Sequence, residues 1–538
     1  MLEVINYLNQ IFHNKIIVLI LINFLMLVAL VFLNLRKIKQ YFSEISKKSW
    51  LILGVIFFGM MLFRLSLPIY YHLVFIDEHL YLQAAKNIIL SGTQGVYSKS
   101  IGWPFVLNLF FRVFGINNWV SLYVSAGLGI ATIILMFLFV YVLLSNEQMA
   151  LIAAGVFSFM PLHIRWAATA ETNAAALFFV MISMLCALFY FKKQSALLLW
   201  LAFMAVAFAA QFRPENYIFF VIFIIGVMIF CKQKIKITSV QFFVPLLLSL
   251  FLCSANLWQI LAFQLPVNWI ASDTGGAMTG SNWSIGNFIY NLTHYAMFFN
   301  AKNGVAIIIM TSITLPFVAH GIFLLYKHKK RECRFLLVWW IILVIVYFSS
   351  WFQTMARSRF YMSFYPITIV FFVYGLRHVY FFIVSKMGKY FPQKNIKIIL
   401  GTIIGSLALI SLVTVYLQFS ASNKYAQKFI LETKIPELAE KDLPQKYLIL
   451  AVLPEVLTAT TNLEVMPLDK FLNMSNGRQK VIIKNQKVLF FEDYCALFYQ
   501  NPKFKVFVNK LNKNFSLKEF KIYQLNEIKY SFYEISLK

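Results

Sequence analysis

The feature that most constrains this chain is a repeated alternation: runs of about 20 apolar residues, long enough to cross a bilayer, separated by short gaps dense in Lys and Arg. The gaps at 36–48, 192–194, 232–236, 327–334 and 377–397 hold 20 of the 30 Lys and Arg residues before position 419. Such clustering follows the positive-inside rule and predicts a cytoplasmic side for those gaps. The formal charge of +27 therefore argues for membrane orientation and against nucleic acid, which needs a basic patch on a folded surface. With 60% hydrophobic and 13% charged residues, the chain lies outside the usual range of soluble domains.

The pattern predicts twelve transmembrane helices near 15–35, 51–71, 119–144, 148–166, 172–191, 196–212, 216–231, 241–262, 304–326, 335–351, 360–378 and 398–418. The first run ends in Arg36-Lys37 rather than at a small-residue cleavage site, which predicts a retained helix. Alternation places the loops 72–118 and 264–303, the turn 352–359 and everything after 418 outside. After 418 the composition turns polar, and β-like runs at Tyr447–Leu453 and Val488–Phe491 predict a small extracytoplasmic α/β domain. The expected organisation is 1–50, an extra N-terminal helix with its cytoplasmic loop; 51–418, an all-α membrane domain; and 419–538, the soluble domain. The five cysteines form no CxxC or His/Cys cluster, so no metal or redox site is assigned.

Within loop 72–118, Leu80, Ala84 and Ile88 share a helical face, with Asp77 as N-cap and Gly92 as C-terminal stop. The aromatic stretch Trp103–Gly115 is too short to span and is expected to lie in the membrane interface.

Only nine acids precede position 419. Glu3, Asp77, Glu78, Glu171, Glu215 and Asp273 fall outside by this topology; Glu44, Glu147 and Glu332 fall in the cytoplasm. A carboxylate pair at the mouth of a helix bundle is informative in a chain that avoids carboxylates. Asp77 can take a proton from an acceptor hydroxyl or amine, or can simply cap a helix. Glu171 occupies a hairpin turn, where a solvated acid is the ordinary reading, and Arg213-Pro214-Glu215 reads as a local ion pair. Arg357 and Arg359 precede the span at Phe360 and offer planar donors suited to phosphate; interfacial snorkelling is the bland alternative. Arg64 falls inside the second span, about two turns short of its outer end, where an ionised side chain is a functional suspect.

Asp77-Glu78-x-x-Tyr81-x-x-Ala84, then Gly92, then Phe114-Gly115-x-Asn117-Asn118 resembles the first external loop of the C-type (GT-C) membrane glycosyltransferases. The similarity continues through Ala168–Asn173, Arg213 and Arg359-Phe360-Tyr361 before Pro366, over roughly residues 51–380, and points to the protein O-mannosyltransferase and aminoarabinose lipid A transferase group. The resemblance implies a polyprenyl-phosphate sugar as cosubstrate and an envelope lipid, glycan or protein as acceptor. It implies a catalytic group of Asp77 as base, Glu171 across the cavity from it, and Glu78 orienting groups or assisting binding. Arg359, Arg357, Arg213, Arg64 and Lys99 would receive the donor phosphate, and Tyr81, Trp103, His79 and Glu215 would contact substrate. The partners so implied are membrane lipids, the donor and the acceptor, with no nucleic acid. No cofactor is assigned beyond the lipid-linked sugar, and a divalent cation stays open. The aminoarabinose transferases carry a Glu-Lys-Pro run where this chain reads Ile101-Gly102-Trp103-Pro104, with Lys99 displaced, so lipid A as acceptor and a metal site on that Glu do not carry over. A transporter or flippase of a lipid-linked or anionic substrate is the competing class, although the helices broken in pairs across two halves that mark such folds are not evident.

Overall fold

The computed structural model describes residues 2–66, 76–94, 99–231, 239–264, 304–348, 362–387, 435–443, 447–452, 454–459, 461–492, 502–525 and 528–538, with isolated positions between 398 and 413. Arg357, Arg359, Asp273, Cys495, most of the expected span 398–418 and the boundary at 419 lie outside the described residues.

The chain is a multi-pass helical membrane protein carrying a small C-terminal sheet domain. Its helices are α1 (Leu2–Ser43), α2 (Lys47–Leu65), α3 (Ile76–Ser91), α4 (Gly102–Phe114), α5 (Asn118–Leu144), α6 (Glu147–Ser158), α7 (Pro161–Ala167), α8 (Asn173–Lys193), α9 (Ala196–Ala210), α10 (Ile218–Phe230), α11 (Val240–Gln264), α12 (Gly304–His328), α13 (Lys330–Phe348) and α14 (Tyr365–Met387). Among the described residues six segments are long and apolar enough to cross a membrane: Lys15–Ser43, Lys47–Leu65, Asn118–Leu144, Asn173–Lys193, Val240–Gln259 and Met362–Lys386. Gly102–Phe114, Glu147–Ser158, Ala196–Ala210 and Pro214–Phe230 are apolar but shorter.

The expected span 148–166 is not one helix. The residue before a proline is pushed out of the helical region, and Met160, before Pro161, has ψ 114°, which separates α6 from α7. The expected span at 216 likewise opens with a 3-10 turn, Pro214–Tyr217.

Two ends of the bundle are distinct. At one, Lys37 Nζ donates to Ser195 Oγ at 3.1 Å, Lys192 and Glu332 pair at 3.8 Å, and Lys329 Nζ donates to the Leu144 carbonyl at 3.0 Å. Glu147 accepts from the Ser46 amide at 3.1 Å and from the hydroxyls of Ser46 and Ser49, which completes the N-terminus of α2. The hydrogen bonds and the burial of the carboxylate oppose each other there, and the hydrogen bonds win, holding Glu147 below the usual carboxylate range. At the opposite end meet α3, the segment from Lys99, the 168–173 turn, the 211–217 turn and the last turns of α11. Among the described residues, the basic gaps and these turns therefore lie at opposite ends of the bundle.

The helices α12 and α14 cross where small residues let two backbones approach. A Cβ at Gly321 would overlap the Phe371 carbonyl, and one at Gly375 would overlap the Phe317 carbonyl.

The C-terminal domain is built on β1 (Leu448–Ala451), β2 (Glu464–Pro467), β3 (Val488–Glu492), β4 (Phe515–Leu525) and β5 (Ile528–Leu537). The strand order is β2-β1-β3-β5-β4, with β1 parallel to β2 and β3, and β5 antiparallel to β3 and β4. Both faces are covered. One core gathers Ile449, Leu457, Leu489, Phe491 and Phe532, and the other Leu448, Leu450, Phe471, Phe490 and Leu511. Consecutive residues of β1 and β3 thus point into different cores, which is why these two strands read as unbroken apolar runs. The short helix α15 (Pro454–Thr458) carries the domain onto α3.

Candidate active site

Scarcity of carboxylates made Asp77 and Glu78 conspicuous, and the fold gives them different surroundings. Asp77 is not the N-cap expected of it: α3 starts at Ile76, which sets both acids in the first helical turn, where the helix dipole favours negative charge. The stop at Gly92 is as expected, with φ +69°, a conformation that glycine adopts without strain. Successive helical residues point about 100° apart; Asp77 reaches a partly open surface while Glu78 is fully buried.

Lys99 Nζ lies 2.7 Å from Asp77 Oδ1, with side-chain exposures of 17% and 28%. The backbone of Lys99 is anchored by two amide side chains, Gln94 Nε2 and Gln259 Nε2, donating to its carbonyl at 2.6 Å and 3.1 Å. Its ammonium also stands 5.6 Å from the Tyr81 ring centroid. The next residues are fixed in turn: the Ile101 amide donates to Asn256 Oδ1 at 3.0 Å and the Gly102 amide to the Gln211 carbonyl at 2.8 Å. Glycine is required at 102, since a Cβ would meet the Gln211 carbonyl at 2.8 Å and the Phe212 ring at 2.7 Å.

The segment from α3 to α4 and the 168–173 turn are joined through the backbone of Ala170. Its N–H donates to Glu78 Oε1 at 2.6 Å and its carbonyl accepts from Trp103 Nε1 at 2.6 Å. A hydrogen bond shielded from water in this way is electrostatically stronger than one in solvent. Glu171 follows directly, so the turn that was read as solvated is 2% exposed at its acid. From Glu171 a relay runs outward: Asn173 Nδ2 donates to Glu171 Oε2 at 2.7 Å, Arg213 Nη1 donates to Asn173 Oδ1, and Arg213 Nε and Nη2 reach Glu215 Oε1 at 2.7 Å and 2.6 Å. The Arg213–Glu215 pair is 13% and 10% exposed. It is more enclosed than the surface pair expected, so loss of one partner strands a charge.

The structure thus brings Asp77, Glu78, Tyr81, Lys99, Trp103, Glu171, Arg213 and Glu215 to one end of the bundle. Trp103, expected to contact substrate, is fully buried and spends its indole N–H on Ala170. His79 is 6% exposed, and burial pushes its imidazole down to about 4, so it is neutral at physiological pH. Arg64 is not a snorkelling residue. It is fully buried in the last turn of α2, and its Nη2 lies 3.4 Å from the Ser158 carbonyl and 2.9 Å from His163 Nδ1, at the α6–α7 junction. Those bonds do not join it to the Asp77 group. Among the described residues no group of three or more His, Cys, Asp and Glu side chains is placed to hold a metal ion. Asn173, Asn256 and Gln259 escaped the sequence reading, because amides in apolar runs carry no signal until their partners are known.

The family model for dolichyl-phosphate-mannose-protein mannosyltransferase matches residues 98–258, a stretch running from the Lys99 segment to the last turns of α11. Among solved structures, the chain is similar to ArnT from Cupriavidus metallidurans bound to undecaprenyl phosphate, with TM-score 0.57, 12% identity, and 91% of this chain and 98% of that one covered. The apo structure of ArnT gives TM-score 0.56 and 11% identity over the same shares. No curated protein matches the sequence. The chain has the GT-C membrane glycosyltransferase fold.

On a GT-C frame the Ala170 clamp is the element that sets the spacing of the site. It ties the segment from α3 to α4, with Asp77 and Lys99, to the 168–173 turn, with Glu171 and the Arg213 relay.

Proposed function

We propose that this chain is a membrane glycosyltransferase that moves a sugar from a polyprenyl-phosphate-linked donor to an envelope lipid, glycan or protein on the extracytoplasmic side. The match to a mannosyltransferase family model and the likeness to a structure bound to undecaprenyl phosphate support the class. The observation that carries the reading is the Ala170 clamp, which assembles a partly exposed carboxylate–ammonium pair beside a buried acid–arginine relay.

In this reading the donor phosphate is received by Lys99 and Arg213, with Arg357 and Arg359 contributing from the segment before α14. The Lys99 ammonium leaves Asp77 for the phosphate, and the freed carboxylate faces the acceptor. The acceptor oxygen or nitrogen attacks the anomeric carbon in line; its bond to that carbon forms as the bond to the phosphate oxygen breaks. The proton goes to Asp77, and the negative charge stays on the lipid phosphate, where the cations offset it. A single displacement of this kind inverts the anomeric centre. Glu171 lines the far side of the site, and Glu78 is a positioning residue that fixes the Ala170 peptide. The C-terminal domain takes part in selecting the acceptor.

The test is turnover. Purified protein in lipid nanodiscs, given a panel of polyprenyl-phosphate sugars and an envelope extract, releases polyprenyl phosphate and yields a glycosylated acceptor if the proposal holds. Vectorial movement of an intact lipid-linked substrate in proteoliposomes, with no turnover of any donor, identifies a transporter instead.

A further inference from the structure

The helix bearing Asp77 is held from above as well as from below. Lys86, nine residues beyond Asp77 on α3, is 6% exposed, an unusual burial for a lysine. Among the described residues its ammonium meets no carboxylate at ion-pair distance. Nζ donates instead to the carbonyl of Thr458 at 3.0 Å and to that of Thr461, at the end of α15 and in the turn after it. These acceptors belong to the C-terminal domain, more than 370 positions away in sequence. Burial lowers the proton affinity of Lys86, and the charge of Glu440, in the helical stretch 435–442, offsets only part of that. Glu440 itself accepts from the Asn462 amide at 2.7 Å, next to Thr461. The turn that receives the ammonium is therefore shaped by hydrogen bonds inside the domain: Thr461 Oγ1 donates to the Leu457 carbonyl, and Asn462 is fastened to Glu440.

We propose that Lys86 is a positioning residue through which the C-terminal domain fixes the axial setting of α3, and so the placement of Asp77 and Glu78. This rests on the reading of Asp77 as the base. A helix is stiff along its axis, and Lys86 lies about two and a half turns from Asp77, so a clamp there limits sliding and rotation of the first turn. The first turn is held by Glu78 on Ala170 and by Lys99 on Asp77. Held at both ends, α3 has a single register relative to the 168–173 turn. The C-terminal domain then contributes to turnover without touching the reacting atoms.

The experiment compares Lys86→Met and Lys86→Arg in the full chain in nanodiscs, by steady-state kinetics and by hydrogen exchange. Met keeps the length and loses the donors; Arg keeps the charge and the donors. The expected result is a kcat lower on the order of tenfold for Lys86→Met, with donor KM within about twofold, and substantial rescue by Lys86→Arg. Amides of α3 exchange faster in Lys86→Met, while those of β1 and β3 keep wild-type protection, which shows that the domain is still folded. Wild-type kcat in Lys86→Met overturns the proposal, as does loss of protection in β1 and β3 together with α3. If wild-type protein transfers no sugar, the glycosyltransferase reading fails by itself. The coupling is then judged by exchange alone: selective loosening of α3 supports it, and unchanged α3 exchange overturns it.

Discussion

In the proposed reaction the Lys99 ammonium, 2.7 Å from Asp77 Oδ1, has two competing partners: the carboxylate it holds and the donor phosphate. Competition of this kind is measurable as non-additivity. Asp77→Asn should raise the affinity for polyprenyl phosphate about two- to fivefold, the size of a partly exposed ion pair, and Lys99→Gln should lower it. In the Lys99→Gln background the gain from Asp77→Asn should vanish. A gain of equal size in both backgrounds would mean simple repulsion between Asp77 and phosphate, without exchange of the ammonium. Asp77 was legible in the sequence because a chain with nine acids in 418 residues makes each outward one informative. The relay through Asn173 was not, since an amide declares itself only through partners 2 and 40 residues away. Trp103 and His79 were singled out because aromatic and imidazole side chains near a site suggest contact with substrate; the structure adds that one clamps a backbone carbonyl and the other is buried and neutral.

At the scale of elements, helix pattern foretold α3 and its Gly92 stop but not its cover. Leu80, Ala84 and Ile88 suggested one packed face, yet Tyr81, Leu82, Ala85 and Lys86 are buried too: the first three join the core of the helix bundle, and Lys86 meets carbonyls of the C-terminal domain. Nothing about Lys86 in sequence separates a solvated lysine from one held by two carbonyls. The broken span at Pro161 was legible in principle, since proline restricts its predecessor, but an apolar run hides such a break from hydropathy. The crossing of α12 and α14 depends on Gly321 and Gly375, each facing a carbonyl of the other helix. Neither helix can yield locally, so Gly375→Ala should destabilise the protein by about 1–3 kcal/mol. A scanning unfolding measurement in detergent should show a lowered Tm, while Gly405→Ala, where a Cβ meets nothing within 4 Å, leaves it unchanged. Equal Tm for both variants would contradict the tight crossing.

For the whole molecule, the two ends of the bundle follow from the hairpins, and the basic gaps predict which end faces the cytoplasm. Lys39 and Ser91 are exposed, at opposite ends. In a Cys495→Ser background, with Cys186, Cys231, Cys253 and Cys333 buried, Ser91→Cys should react with a membrane-impermeant maleimide on intact cells. Lys39→Cys should react only after lysis, and the reverse pattern would invert the topology. The architecture was readable as apolar runs, basic gaps and a polar tail. The assembly of the site was not, because it depends on the Ala170 peptide being gripped by two side chains from a distant loop. The most direct test of the account is the rate of a single turnover by Asp77→Asn in nanodiscs loaded with a polyprenyl-phosphate sugar that the wild type consumes. The account predicts loss of transfer by on the order of 100-fold or more with polyprenyl phosphate binding intact or tighter; transfer at the wild-type rate would contradict it.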